Sequence, residues 1–427
     1  MKIRNLPNTS ITSLLVVLCL GCLFDNAVAQ TWTLTSAPTE AWAAVASSAD
    51  GTRLIAAPGN GPIYLSTDSG ATWSSNQTPV AAWAAVASST NGGCLFAASA
   101  GRLFYVSTNS GATWSSTNSF STNTWAHWAS AACSSDGTKL VAASGYGPDG
   151  VAIVTSSDSA VTCRVLTHGS LTIFPIGAFE RAGGVASSAD GSNVVAGTAN
   201  LFSGNLTGGD FFASSDSGVH WSQIPWNGSG SAAVGWSAIA SSANGSNLVA
   251  VAMPPNFSGP PWFTEVLTST NGGVSWISRV ALEENWTAVA SSADGERLVA
   301  VNSTANLSGI YTSTNAGDSW IPNDLPGGAI NLSWTSVAGS ADGSRLVAAS
   351  GQGIYVSQPL PVMSLTSFGG NVVMGWPSTA RSFGLRQSSD ITTGWVAPQG
   401  SPILTNGWYQ WSTSPTNAAT FYRLASP

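Results

Sequence analysis

The sequence predicts an all-β chain, a seven-bladed β-propeller closed by an N-terminal strand, with a small C-terminal β domain after it. Three observations predict it. The phrase Trp-x-x-Val-Ala-Ser-Ser-x-Asp-Gly-x-x-Leu-Val-Ala begins, with drift at several positions, at Trp42, Trp83, Trp128, Ala182, Trp236, Trp286 and Trp334. Those seven starts lie 41, 45, 54, 54, 50 and 48 residues apart, close to the length of one four-stranded blade. The last copy is one strand short, and residues 31–34 match the strand that it lacks.

Residues 1–29 read as an export signal. Lys2 and Arg4 supply a positive start, Ile11 to Phe24 an apolar run, and Ala27-Val28-Ala29 a small-residue cleavage site before Gln30. The run is too short for a comfortable membrane span, and no later segment offers about eighteen uninterrupted apolar residues. A lipid anchor on Cys22 fits less well, because Cys19 and Leu20 stand where such a signal prefers Leu and then a small residue. The expectation is a secreted or extracytoplasmic protein, cleaved after Ala29, with no transmembrane segment.

In the first repeat, strand A is expected over Ala43 to Ser48 and strand B over Arg53 to Ala57, joined by the hairpin dipeptide Asp50-Gly51. Strand C follows over Ile63 to Ser66, then the turn Thr67-Asp68-Ser69-Gly70, then strand D over Ala71 to Ser75. The seventh repeat stops after strand C at Ile354-Tyr355-Val356-Ser357. Thr31-Trp32-Thr33-Leu34 matches Thr72-Trp73-Ser74-Ser75, and Trp32 precedes Trp42 by the ten residues that separate Trp73 from Trp83. A strand returned from the other terminus removes sheet edges and ties both ends down. Residues 30–358 are therefore the expected propeller. Residues 359–427 lack the repeat and read as a small sandwich-like β module after Pro359-Leu360-Pro361.

Composition narrows the function. Setting aside Lys2, Arg4 and Asp25 reduces 13 basic and 20 acidic residues to 11 and 19, a balance that disfavours nucleic acid and anionic membrane as partners. The mature chain keeps Cys94, Cys133 and Cys163, an odd number and no disulfide framework. One bridge plus a free thiol is possible; three buried thiols fit better. His127, His168 and His220 share no metal-ligand spacing, so neither a metal nor a cofactor is expected.

The turn phrase Ser-x-Asp-x-Gly-x-x-Trp stands as Asp68, Gly70 and Trp73 in the first repeat and as Asn109, Gly111 and Trp114 in the second. It recurs as Asp216, Gly218 and Trp221, as Asn271, Gly273 and Trp276, and as Asn315, Gly317 and Trp320. The third copy is degenerate, with Ala160 and Cys163 at the Gly and Trp positions. The phrase resembles the Asp-box, or bacterial neuraminidase repeat, of sialidase-like and photosystem-assembly propellers, and the likeness covers residues 31–358. Physically its roles are structural: Asp or Asn accepts turn N–H groups, Gly admits φ > 0, and Trp anchors a strand between sheets.

The resemblance to sialidases implies an arginine triad, a Tyr nucleophile with a Glu partner, an Asp acid and an Arg-Ile-Pro phrase. No Arg-Ile-Pro occurs. Arg53, Lys139, Arg297 and Arg345 share one strand-B position, and Tyr64, Tyr105, Tyr311 and Tyr355 share one strand-C position, which reads as blade structure. Arg102, Arg164, Arg181 and Arg279 are too scattered to assign. A carboxylate-pair glycosidase would need two acids on different loops, and Glu180, Asp210, Glu265, Glu283 and Glu284 are the candidates. Solvated loop charge is the plainer reading of all five, so no catalytic residue is assigned.

The A–B and C–D turns should share one face. The B–C and D–A connections should share the other, and the insertions fall there: residues 145–150, 164–183, 198–210, 223–235, 253–264 and 302–309. Long loops on a rigid scaffold are where function usually sits. Trp226, Phe257, Trp262 and Phe263, with His168, Glu180, Arg181 and Asp210, are the candidate binding residues, since flat aromatics beside a few polar groups suit a carbohydrate or protein ligand. The alternatives are an Asp-box glycoside hydrolase and a structural cell-surface protein.

Overall fold

A computed structural model describes residues 30, 32–75, 80–100, 103–117, 127–145, 152–167, 179–202, 205–224, 235–253, 264–282, 285–303, 309–323, 325, 332–357, 364–368, 371–377, 384–389, 396–405, 408–413 and 421–425. Residues 1–29, expected as an export signal, lie outside them. The chain divides into two compact units, Ala29–Gln358 and one that holds Pro359–Pro427. Every described element is a strand, and the first unit is a propeller-type arrangement of antiparallel sheets.

Sheet 1 consists of Trp42–Ser47, Leu54–Pro58, Tyr64–Ser66 and Ser74–Ser75, paired in that order. The fourth strand is shorter than the sequence predicts because the turn consumes its start. Thr72 N–H donates to Asp68 Oδ1 at 2.8 Å and the Trp73 indole N–H to Gly70 O at 3.1 Å. The first strands of the next six sheets are Trp83–Ser88, His127–Cys133, Phe179–Ser187, Gly235–Ser241, Trp286–Ser291 and Trp334–Gly339. In each first pair the register slips just after the phrase start, as between Trp42 and Ala44 or Trp286 and Ala288. Such a bulge re-aims a side chain. It accompanies burial of both Trp42 and Ala44 while Ala43 between them is half-buried.

The outer strand of the last sheet comes from the N-terminus. Trp32–Leu34 pairs antiparallel with Gly353–Ser357, with Trp32 opposite Ser357 and Leu34 opposite Tyr355.

Successive sheets pack through apolar seams. Trp42, Val45 and Ala56 of sheet 1 meet Val347, Ala349 and Ile354 of the last sheet, and Trp286 meets Val249, Val251 and Val266 of the sheet before it. Four first-strand tryptophans sit edge-on to a third-strand tyrosine at 5.2–5.3 Å: Trp42 on Tyr64, Trp83 on Tyr105, Trp286 on Tyr311 and Trp334 on Tyr355. The repeated tyrosine is thus a partner of the repeated tryptophan. Its geometry is that of the favoured T-shaped pair.

The A–B turns are tied sheet to sheet. Ala49 N–H donates to Thr90 O, Thr90 to Ser135, Ser135 to Ala189, Ala189 to Ala243, Ala243 to Ala293, Ala293 to Ala341, and Ala341 to Ala49, all at 2.6–2.9 Å. Seven turn groups that would otherwise need water are satisfied in this way. The C–D turns join the same end, since Ser69 N–H donates to Thr52 O and Ser110 N–H to Gly93 O.

Gly70 shows why the turn phrase needs glycine. Its φ is +87°, and a Cβ there would lie 2.9 Å from Val356 Cγ1. Ala160 occupies the equivalent place with φ 63°, a left-handed value nearer the range an L-residue tolerates. Gly70→Ala is expected to destabilise the unit by about 2 kcal/mol through strain and overlap, as a lowered urea midpoint would show. An unchanged midpoint would mean that the turn can relax.

The unit holding Pro359–Pro427 has one four-stranded and one two-stranded sheet among its described residues. Met374, Trp376, Leu385 and Tyr422 form its core, drawn from both sheets.

Candidate functional site

Six C–D turns share one hydrogen-bond plan. In the first, Ser66 Oγ donates to Asp68 Oδ1 at 2.8 Å and accepts Gly70 N–H at 2.8 Å, while the Thr72 hydroxyl donates to Asp68 Oδ2 at 2.7 Å. Where Asn replaces Asp the heavy atoms keep their places and one bond reverses: Asn109 Nδ2 donates to Thr113 Oγ1 at 2.8 Å, Asn271 Nδ2 to Ser275 Oγ at 2.8 Å, and Asn315 Nδ2 to Ser319 Oγ at 3.0 Å. The fourth copy uses a histidine, whose Nδ1 lies 2.5 Å from Asp216 Oδ2. The Asp216 carboxyl is held well below its usual range by the His220 backbone N–H and ring.

Partial burial alone would raise the Asp68 carboxyl, but the Thr72 and Ser66 donors outweigh it and lower it. In the A–B turns the Ser48 hydroxyl and Thr52 N–H bring Asp50 to about 2; the Ser134 hydroxyl and Thr138 N–H do the same for Asp136, and the Ser188 hydroxyl and Ser192 N–H for Asp190. Because the folded pKa is depressed, the stability these bonds contribute is present above the unfolded carboxylate range near 4 and lost as pH falls towards 2. A carboxylate held ionised at neutral pH cannot serve as a general acid there. Asp68→Asn should therefore leave stability at neutral pH within about 0.5 kcal/mol and any activity intact. Loss of turnover in a folded Asp68→Asn protein would identify a catalytic carboxylate.

At the other end of the sheets, the structure replaces part of the expected loops with strand. Arg164–Thr167 is a strand, Phe179–Ser187 absorbs the end of the expected 164–183 loop, and Val194–Phe202 with Asn205–Gly208 absorbs most of 198–210. Glu180 and Arg181 are thus strand residues opposite Asn200 and Ala199. Cross-strand hydrogen bonding carries this hairpin past the bulge between Ala182 and Val185. Asp210 joins them: its N–H donates to Thr198 Oγ1 at 3.1 Å and its carbonyl accepts Thr198 N–H at 3.0 Å. These three candidates are brought to one end of sheet 4. His168, Trp226, Phe257, Trp262 and Phe263 lie outside the described residues, as do Glu283 and Glu284. Glu265 is no loop residue either. It sits opposite Ala281 near the start of a third strand, half-buried, and burial raises its carboxyl.

Two arginines left unassigned by the sequence tie sheets together. Arg164 donates to Val219 O at 3.1 Å, and Arg279 pairs with Asp318 at 2.6 Å. The three cysteines, one from the second repeat and two from the third, are free and half-buried and pack against one cluster with Phe96, Val106 and Leu140. Burial pushes the Cys133 thiol up to about 12, away from nucleophilic character at neutral pH. Among the described residues, no three His, Cys, Asp or Glu side chains are placed to hold a metal ion. An open groove of about 690 Å³ lies at the turn end between sheets 1 and 2, lined by Arg53, Ser66, Ser75, Asn109 and Ser110 among others. Sequence reasoning passed over Gln30, Asn323 and Ser357, which meet where the N-terminus enters the fold.

No protein-family model matches the chain, and no curated protein matches it. Solved structures do. YCF48 bound to a D1 peptide is 12% identical with a TM-score of 0.53, the match covering 78% of this chain and 98% of that one. YCF48 from Cyanidioschyzon merolae is 13% identical with a TM-score of 0.55, covering 77% and 99%. A GH74 xyloglucanase from Xanthomonas campestris is 15% identical with a TM-score of 0.55, covering 82% of this chain and 60% of the enzyme. At these identities the likeness is one of fold. The chain has a distantly related, propeller-type all-β fold, and the comparisons support that broad relationship rather than the narrower sialidase-like one.

Proposed function

We propose that residues 30–358 form a seven-bladed propeller of Asp-box type, closed by the N-terminal strand, exported by residues 1–29, and acting as a binding scaffold. The hydrogen-bond path through the A–B turns, which returns from Ala341 to Ala49, supports the closed ring, as does the Thr335 hydroxyl bonded to Trp42 O at 2.9 Å. The ligand is a carbohydrate or a protein surface, held at the end where sheets 3 to 6 carry the long connections. One observation carries this reading. Sheet 4 has nine-residue first and second strands where sheet 1 has six and five, and a fifth strand besides. The extra length, roughly 10 Å of paired ribbon, presents Glu180 and Arg181 on a rigid element at that end, with Asp210 beside it. Rigid elements hold binding groups more exactly than loops do.

A glycan and peptide array with the mature protein tests the reading. Trp226→Ala and Trp262→Ala should weaken capture about tenfold or more with melting unchanged; melting loss without a specific ligand defect would make them packing residues. A second reading, glycoside hydrolysis, draws on Glu265, whose raised carboxyl suits a general acid. Turnover of a glycan by the wild type, abolished in folded Glu265→Gln, would favour the hydrolase over the scaffold.

A further inference from the structure

In six sheets the serine closing the third strand donates to the Asp or Asn of the turn after it: Ser66, Ser107, Ser156, Ser214, Ser269 and Ser313, all at 2.8–2.9 Å. Ser357 closes the third strand of the last sheet, and the sequence after it, Gln358-Pro359-Leu360-Pro361, holds no such turn. Its buried hydroxyl donates to Gln30 Oε1 at 2.6 Å. Gln30 thus stands in for the missing turn acid.

The backbone N–H of Gln30 donates to Asn323 Oδ1 at 2.8 Å. Asn323 is 8% exposed, and its amide cannot be turned round: Nδ2 already faces Ile310 O at 3.2 Å, Thr312 Oγ1 at 3.0 Å and Ile321 O at 3.3 Å. One neighbouring sheet therefore offers Gln30 a fixed acceptor, and the other a hydroxyl that donates to its side chain. A free α-ammonium has three N–H donors and a full charge, which partial burial beside one neutral acceptor satisfies poorly. A lactam has one N–H, one carbonyl and no charge. Those are the two groups this seat engages.

We propose that Gln30 is a modification site, an inference that rests on the export reading with cleavage after Ala29. Once freed, the neutral α-amine attacks the γ-carboxamide carbon of its own side chain. The new N–C bond forms, the bond to the side-chain nitrogen breaks, and ammonia leaves with a proton from the amine. Ser357, donating to Oε1, draws electron density from the attacked carbon. The product, an N-terminal pyroglutamate, stays bound between Asn323 and Ser357 and completes the last sheet.

The test is mass spectrometry of the N-terminal peptide of the exported protein, with pyroglutamyl aminopeptidase applied before and after unfolding. The expected peptide begins at residue 30, is lighter by one ammonia, and is released by the peptidase only from unfolded protein. Ser357→Ala should slow cyclisation several-fold after export and expose the native terminus to the peptidase. A peptide beginning with unmodified Gln30 overturns the modification and leaves the export reading standing, whereas a terminus elsewhere overturns both. Cyclisation at an equal rate in folded Ser357→Ala overturns the role of the seat.

Discussion

Trp286→Ala is expected to destabilise the propeller-type unit by about 3–5 kcal/mol, the usual range for a buried aromatic cut to alanine. Trp286 is 0% exposed, packs on Val249, Val251 and Val266 of the preceding sheet, and meets Tyr311 edge-on at 5.3 Å. The loss would open a cavity in a seam between two sheets. Among the described residues its indole nitrogen has no hydrogen-bond partner. Trp286→Phe should therefore cost much less, because it forfeits area but no bond. Trp73→Ala should also cost less, about 1–3 kcal/mol, since Trp73 is only half-buried although its indole does bond Gly70 O. Melting temperatures of the three variants give the order. If Trp73→Ala melts lowest, the turn tryptophans carry the seams and the first-strand ones do not.

Deleting Gln30 to Leu34 from a chain that begins at Gln30 is expected to cost still more. It removes the outer strand of the last sheet, the three-residue pairing with Gly353–Ser357 and the side chain of Trp32, which is 1% exposed in the seam with Trp334 and Val301. It also strips the buried Ser357 hydroxyl of its acceptor, a penalty of about 1–3 kcal/mol by itself. Leu34 contributes little to that loss, being 57% exposed. A truncated protein that melts at the full-length temperature would contradict closure by this strand. Added peptide with the sequence of residues 30–36 should restore part of the lost stability, because the pairing is the same whether the strand is tethered or free.

Much of the fold was legible in the sequence because its determinants are local. The Asp50-Gly51 hairpin, the serine, aspartate and glycine of the C–D turn and the β-prone runs between them act over a few residues, and each recurs visibly. The N-terminal strand was legible for the same reason, since Thr31-Trp32-Thr33-Leu34 copies Thr72-Trp73-Ser74-Ser75. The candidate site was less so. Glu180, Arg181 and Asp210 looked like loop residues, because nothing in a single strand announces that a hairpin will keep pairing past a bulge.

What only the tertiary structure decided involves residues far apart in the chain. Sequence pattern pointed to Trp73 as the buried aromatic, yet burial is complete at Trp42, Trp236, Trp286 and Trp334, because a seam between sheets selects the tryptophan nearest the inner strands. The sequence showed Cys94, Cys133 and Cys163 only as scattered thiols; packing of neighbouring sheets gathers them around one cluster. The repeat determined that a serine would end each third strand. That the seventh serine finds its acceptor in Gln30, 327 residues away, depended on the two ends of the Ala29–Gln358 unit meeting, and no local pattern encodes a meeting at that distance.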